Sequence, residues 1–278
     1  MSEFFEFLFI SPWSPRHFLA LGLQIGLGVL LAFFEASGRF HLPLGKFRRT
    51  STSGGPWTAR AGLALANLVP LLVYVGGYMY FGAPVSPYHN ALLGAFILIF
   101  GMRVLEAFFL NRPSAGYSPA VLTGIAIAWS AVAWLATRIH NDYTSVYVVY
   151  ERPFEVLTWW GLGVLLLGTA LSTGHRYLLA RTRVRRREAN AKAGGTDAKD
   201  ARYPLPRGGL FHYVVCPHYL GDILIWLGFA MMSRHVALYG IAFIVAAYLA
   251  GRAHGTLRWY RLREEPARRL KSLVPFVL

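Results

Sequence analysis

Three ionisable residues interrupt runs that are otherwise apolar: Arg103 and Glu106 within 91–110, and Asp222 within 210–232. An ionisable group among apolar neighbours in a membrane costs about 2.5–3.5 kcal/mol on insertion scales, so it faces a partner, a polar cavity or a ligand. Arg103 and Glu106 share a helical face, which lets them pair with each other or line the wall of a polar cavity. Asp222 has no Lys or Arg within one helical turn. Its compensation has to come from an arginine of another segment or from hydrogen-bond donors on a ligand. Glu35 lies near the end of its apolar run, where it can reach the interface, and is expected to have no role.

His212, Cys216 and His218 are residue types that bind metal, and the first two are spaced to share a helix face. A zinc site needs more ligands in a closed geometry, so no metal is expected. The single cysteine excludes an intramolecular disulfide framework and a multi-cysteine zinc site. No GxGxxG follows a candidate strand, so a dinucleotide would have to bind among helices. Gly22 and Gly26 form a GxxxG, which reads as a helix-packing face.

The elements that carry these residues follow from composition. The 278 residues are 55% hydrophobic and 15% charged, whereas soluble domains carry about 25% charged residues. The net charge of +15 is concentrated in short connections between apolar runs, which excludes a nucleic-acid-binding face. A spanning helix needs about 20 apolar residues. Spans are expected at 17–36, 58–81, 91–110, 119–138, 156–178, 210–232 and 236–253, with six spans as the alternative count because the third and sixth contain charge. The fold is all-α, a polytopic membrane helical bundle forming one domain over 1–278.

The connections sort by charge. Residues 37–57 and 179–209 are rich in Lys and Arg, as is the tail after Arg252, whereas 82–90 has neither residue and 139–155 has more acid than base. The positive-inside rule places the amino terminus outside and the carboxyl terminus in the cytoplasm. The Gly-containing polar stretch Glu188–Arg202 reads as a solvated loop tip. Glu3, Glu6 and the lack of a basic start argue against a cleavable signal peptide. The Ala-, Leu-, Gly- and Arg-rich usage points to a bacterial cytoplasmic membrane; in a eukaryote the location would be the endoplasmic reticulum.

The run Tyr203–Phe229 (YPLPRGGLFHYVVCPHYLGDILIWLGF) resembles the signature of the membrane-embedded steroid 5α-reductases. The matching positions are Tyr203, Pro206, Gly208-Gly209-Leu210-Phe211, Tyr213-Val214, Tyr219-Leu220-Gly221-Asp222 and Trp226. Arg252-Ala253, Trp259-Tyr260 and the terminal Val274-Pro275-Phe276 continue the match, so 203–278 is the most family-like part. Asn111-Arg112 after Arg103 echoes a further family pattern.

The resemblance implies a seven-helix fold, NADPH entering from the cytoplasmic side, and a lipophilic steroid or sterol-like substrate entering from the bilayer. It places Asn111, Arg183, Tyr203, His218, Asp222, Trp226, Arg252 and Tyr260 against the cofactor. Arginine forks suit the phosphates; Asp222 suits ribose hydroxyls or the nicotinamide amide. The implied reaction is reduction of the Δ4 double bond of a 3-oxo-Δ4-steroid.

This chain departs from the family pattern at His218, where Asn is usual, and at Thr256 and Leu257, around which the family has His. Ala66-Asn67-Leu68-Val69-Pro70 stands for Gln-Glu-Leu-Pro, and Phe100 for a substrate-holding Tyr. Asn67 is then the candidate catalytic residue, as a donor to the substrate carbonyl, or else an interhelical hydrogen bond. Rival readings are another sterol or polyprenol double-bond reductase, an isoprenylcysteine-type methyltransferase using S-adenosylmethionine, and a transporter. The transporter reading leaves the Gly-Gly-Leu-Phe run unexplained.

Overall fold

The computed structural model describes residues 15–38, 56–81, 87–110, 117–142, 156–192, 204–263 and 265–274. Seven α-helices follow one another: α1 (Pro15–Ser37), α2 (Pro56–Tyr80), α3 (Pro87–Phe109), α4 (Pro119–Asp142), α5 (Val156–Lys192), α6 (Pro217–Ser233) and α7 (Val236–Arg261). Short 3-10 turns lie at Gly209–His212 and Glu265–Arg269. Among the described residues there is no strand, only an isolated bridge between Val214 and Lys271.

Five of the helices begin on a proline, a residue suited to the first helical position because its missing N–H has no partner there anyway. At α1, α2 and α3 the proline starts the helix earlier than hydropathy does; α3 gains the polar His89 and Asn90. Two boundaries differ more from expectation. The basic segment after 178 is not a connection throughout, because α5 continues to Lys192. Arg, Leu, Ala and Glu all favour helix, and no glycine or proline intervenes before Gly194. The sixth span starts at Pro217 rather than 210, because the preceding residues turn and are pinned by the chain's tail: Val215 N donates to Lys271 O (3.0 Å) and Cys216 N to Ser272 O (3.1 Å).

Six helices are long and apolar enough to cross a membrane; α6, at 17 residues and bearing Asp222, is the exception. Packing directions show that α6 nonetheless reverses the chain as a crossing does. Along α1 and α7, Gln24 meets Ala237 and Glu35 meets Arg252, so the two run parallel. Gly62 and Gly77 of α2 face Leu122 and Thr137 of α4, again parallel. The contacts of α6 with α3 (Tyr88 to Met232, Arg103 to Asp222) and with α5 are antiparallel. Odd helices run one way and even helices the other.

The α5–α6 seam is the tightest. A Cβ on Gly221 would lie 2.5 Å from Ser172 N, and one on Gly228 2.5 Å from Gly161 O; Gly161 and Gly168 are confined likewise. Small residues at seven-residue spacing on both helices bring the backbones together, which is how helices associate where burying apolar surface from water gives no driving force. The core beside this seam is aromatic: Trp129 stacks on Trp226 at 4.7 Å, and Phe96, Phe100 and Phe229 pack around them. The outer faces are apolar instead of polar: Leu19, Leu23, Leu30 and Phe33 of α1 and Leu72 and Met79 of α2 are exposed. Together these features make a polytopic membrane bundle.

Candidate functional site

The close α5–α6 approach sets Asp222 directly beside α5. Its Oδ1 accepts from Ser172 Oγ at 2.6 Å and from Arg103, and its Oδ2 accepts from Arg176 Nη2 at 2.6 Å. Arg103 Nη1 reaches Glu106 Oε2 at 2.6 Å, and Arg176 Nε lies 3.5 Å from the same oxygen. Thr173 Oγ1 donates to Glu106 Oε1 at 2.9 Å. Two arginines and two carboxylates from α3, α5 and α6 therefore close a charge-balanced ring. Buried charges persist only when paired and hydrogen-bonded in this way. The sequence left Arg103 and Glu106 either to pair or to line a cavity; they pair, and Glu106 also lines a cavity. Asp222 gets its compensation from within the protein, from arginines on two other helices.

Beside the ring lies a cavity of about 360 Å³, within the usual range for small-molecule sites of about 300–1,000 Å³. Its described wall uses the carboxyl-terminal ends of α3, α5 and α7 and the amino-terminal ends of α2, α4 and α6, so it opens at one end of the bundle. One part of the wall is apolar, with Leu63, Leu110, Ile125 and Leu249. The other is polar and cationic, with Arg176, Arg183, His218, Asp222, Arg252 and Tyr260.

Arg252 is buried and paired with Glu35 of α1 at 2.9 Å. Glu35, expected to reach the interface without a role, is itself buried at 2% exposure: α1 lies along α7 and turns that carboxylate inward. Tyr260 donates to Pro204 O at 3.2 Å. His218 is buried on the cavity wall, and its Nδ1 has no hydrogen-bond partner among the described residues.

The two glycines before Leu210 have a structural reason. Gly208 and Gly209 adopt φ of 94° and 53°, a region that L side chains disfavour. The turn they make lets Leu210 N donate to His175 Nε2 at 3.1 Å, while His175 Nδ1 donates to Leu171 O at 2.7 Å. Phe211 then packs edge-on against His175. The Gly-Gly-Leu-Phe run thus fixes the chain entering α6 against α5.

Of the site residues expected from sequence, the structure gathers Arg183, His218, Asp222, Arg252 and Tyr260 on this wall. Trp226 instead stacks on Trp129 in the aromatic core. Asn67 donates to Leu63 O of its own helix at 2.7 Å, one turn from the cavity wall. Asn111 and Tyr203 lie outside the described residues. Sequence reading missed Arg176, Ser172 and Glu35. Arg176 had the same signal as Arg103, a cation inside an expected span, but sat close enough to the span's end to pass as interfacial.

The family model described as 3-oxo-5-alpha-steroid 4-dehydrogenase matches residues 124–278, which hold most of α4, all of α5 to α7 and the tail. The chain belongs to this family. It is 31% identical over 189 residues to 3-oxo-5-alpha-steroid 4-dehydrogenase 1 of Macaca fascicularis, covering 67% of this chain and 65% of the relative. The chain thus spans just under two thirds of that relative's length. Against the protein of the same description from Bos taurus the identity is 26% over 250 residues, covering 85% and 88%. A very-long-chain enoyl-CoA reductase of Dictyostelium discoideum is 27% identical over 215 residues, covering 75% and 65%. Family and apolar helices together make the chain an integral, multi-pass membrane protein.

Proposed function

We propose that this protein is an oxidoreductase that uses NADPH to reduce a carbon–carbon double bond conjugated to a carbonyl, with a 3-oxo-Δ4-steroid as the substrate class. One observation carries this reading: within one cavity, cations at family-matched positions stand beside an internally neutralised Arg–carboxylate ring and face an apolar wall. The residues present fit a dinucleotide phosphate. Arg183 and Arg252 offer guanidinium donors to phosphate oxygens, and the unpartnered Nδ1 of His218 offers a further polar atom. Tyr260 adds a hydroxyl on the same wall. In this reading Asp222 acts through its partners, holding Arg176 at the wall and Arg103 beside Glu106.

When bound, NADPH supplies a hydride to the β-carbon of the enone. The protein's part is to hold the flat substrate against Leu63, Ile125 and Leu249, to keep water out, and to offer a donor where charge develops on the carbonyl oxygen. A proton then completes the reduction at the α-carbon. Asn67 serves as that donor by turning its amide away from Leu63 O. The relative named as an enoyl-CoA reductase fits the same chemistry, since an enoyl thioester is also a double bond conjugated to a carbonyl.

The test is to incubate purified protein with NADPH and progesterone, a 3-oxo-Δ4-steroid, and identify the product by mass spectrometry. A product heavier by two hydrogens with equimolar NADP⁺ supports the reading. Retention of S-adenosylmethionine, or Arg252→Ala binding NADPH with unchanged affinity, overturns it.

A further inference from the structure

We propose that Glu35, on the peripheral helix α1, is a positioning residue that holds the Arg252 guanidinium in the orientation in which it meets the phosphate of NADPH. This inference rests on the proposed cavity function.

Helix α1 has much of its surface exposed, and its main packing partner is α7. Polar bonds tie it there near both ends. Gln24 Nε2 donates to Ala237 O at 3.1 Å near one end, and Glu35 accepts from Arg252 Nη1 at 2.9 Å near the other. Between them the helices touch closely, since a Cβ on Gly251 would lie 2.5 Å from Ala32 O. Only the second bond reaches a residue of the cavity wall. The guanidinium is a rigid fork of five donors. With Nη1 held by Glu35, Cζ 6.0 Å from the Tyr248 ring centroid, and hydrogen bonds to the Tyr219 and Tyr248 side chains, the guanidinium is oriented before a ligand arrives. A free arginine side chain loses rotamer entropy when immobilised, so a partner that has already immobilised it favours binding. A carboxylate placed only to neutralise Arg252 would not need to sit on a separate helix docked so closely by small residues.

The experiment is NADPH titration, in detergent, of Glu35→Leu, Glu35→Gln, Arg252→Ala and the double variant Glu35→Leu/Arg252→Ala, each with a thermal melt. Glu35→Leu is expected to raise the Kd for NADPH about tenfold, which corresponds to about 1.4 kcal/mol. Glu35→Gln, which keeps an acceptor for Nη1, is expected to raise it less than threefold, and serves if Glu35→Leu does not fold. In the Arg252→Ala background the Glu35 change should add nothing, because two residues acting through one contact are not additive. Gln24→Leu controls for docking of α1: it should lower thermal stability and leave the Kd unchanged. An additive double variant, or equal Kd increases for Gln24→Leu and Glu35→Leu, overturns the positioning role alone. An unchanged Kd for Arg252→Ala overturns the reading of the cavity, and this inference with it.

Discussion

The two ends of the bundle both bury polar groups, but they use different chemistry. At the cavity end the groups are charged: Arg103, Glu106, Arg176 and Asp222 form their ring, and Arg252 pairs with Glu35. At the opposite end a connected chain of neutral groups is buried, alongside the Arg234 guanidinium at the end of α6. Tyr74 Oη donates to His140 Nδ1 at 2.7 Å, His140 Nε2 to Ser233 Oγ at 3.1 Å, and Ser233 Oγ to Phe229 O at 2.8 Å. His89 Nε2 adds a bond to His140 O at 3.0 Å, and Tyr88 one to Met232 O at 2.6 Å. That chain links α2, α3, α4 and α6, and Tyr74, Tyr88, His89, His140 and Ser233 are all fully or almost fully buried. Neutral groups that satisfy one another join helices at modest desolvation cost. A buried charge costs several kcal/mol to desolvate even after relaxation, and here the charges border a cavity. On the proposed function, the contrast separates polar groups that hold the bundle together from polar groups placed for a ligand.

The sharpest break of that comparison would be to find the two ends on the wrong sides of the membrane. With Glu188→Cys at the cavity end and Tyr80→Cys at the other, an impermeant maleimide applied to intact cells should label only Tyr80→Cys. Labelling of Glu188→Cys instead would reverse the expected orientation and the side from which the cofactor enters.

Next in size is Asp222→Leu, which leaves Arg103 and Arg176 sharing the single carboxylate of Glu106. Removing one partner of a buried charge cluster costs about 3–5 kcal/mol, and enone reduction should fall at least 100-fold, an activation penalty of about 2.7 kcal/mol. Asp222→Asn should lose less stability and still bind NADPH more weakly. Full activity in Asp222→Asn would mark the ring as a fastening of the same kind as the histidine chain.

The glycine seam allows the two ends to be probed with one kind of change. Gly221→Ala and Gly228→Ala both force a Cβ into the α5 backbone, so each should cost about 1–3 kcal/mol. Only Gly221→Ala should also weaken NADPH binding, because it displaces Ser172 from Asp222. Equal binding defects would mean that the helix pair moves as a rigid unit.

The smallest effect expected is from His140→Phe. It strands the Tyr74 hydroxyl and removes a donor to Ser233, at about 1–3 kcal/mol of stability, while the Kd for NADPH stays as it was. A changed Kd would mean that the far end is coupled to the cavity.

Much of this architecture was legible beforehand. All seven helices could be read from the sequence as apolar runs, the sixth with its start too early, and the cations gathered between runs gave an orientation. Arg103, Glu106 and Asp222 stood out because each violates its local surroundings. Glu35 and Arg176 escaped because each lies near the end of a run, where a charge looks affordable. The extent of α5 was misread for a related reason: hydropathy reports where lipid stops, whereas helix propensity continues through Arg, Leu and Glu to Lys192.

The sequence by itself determined what is local: which segments are apolar enough to cross, and which charges cannot stand alone. Only the tertiary structure decided which groups answer those charges. The arginines that answer Asp222 lie 46 and 119 positions away, and the carboxylate that answers Arg252 lies 217 away. Apolarity belongs to a run of residues and can be summed along it, but a partner depends on which helix faces packing brings together. Here that was set by the glycine seam between α5 and α6 and by the close contact of α1 with α7, through which Asp222 meets Arg176 and Arg252 meets Glu35.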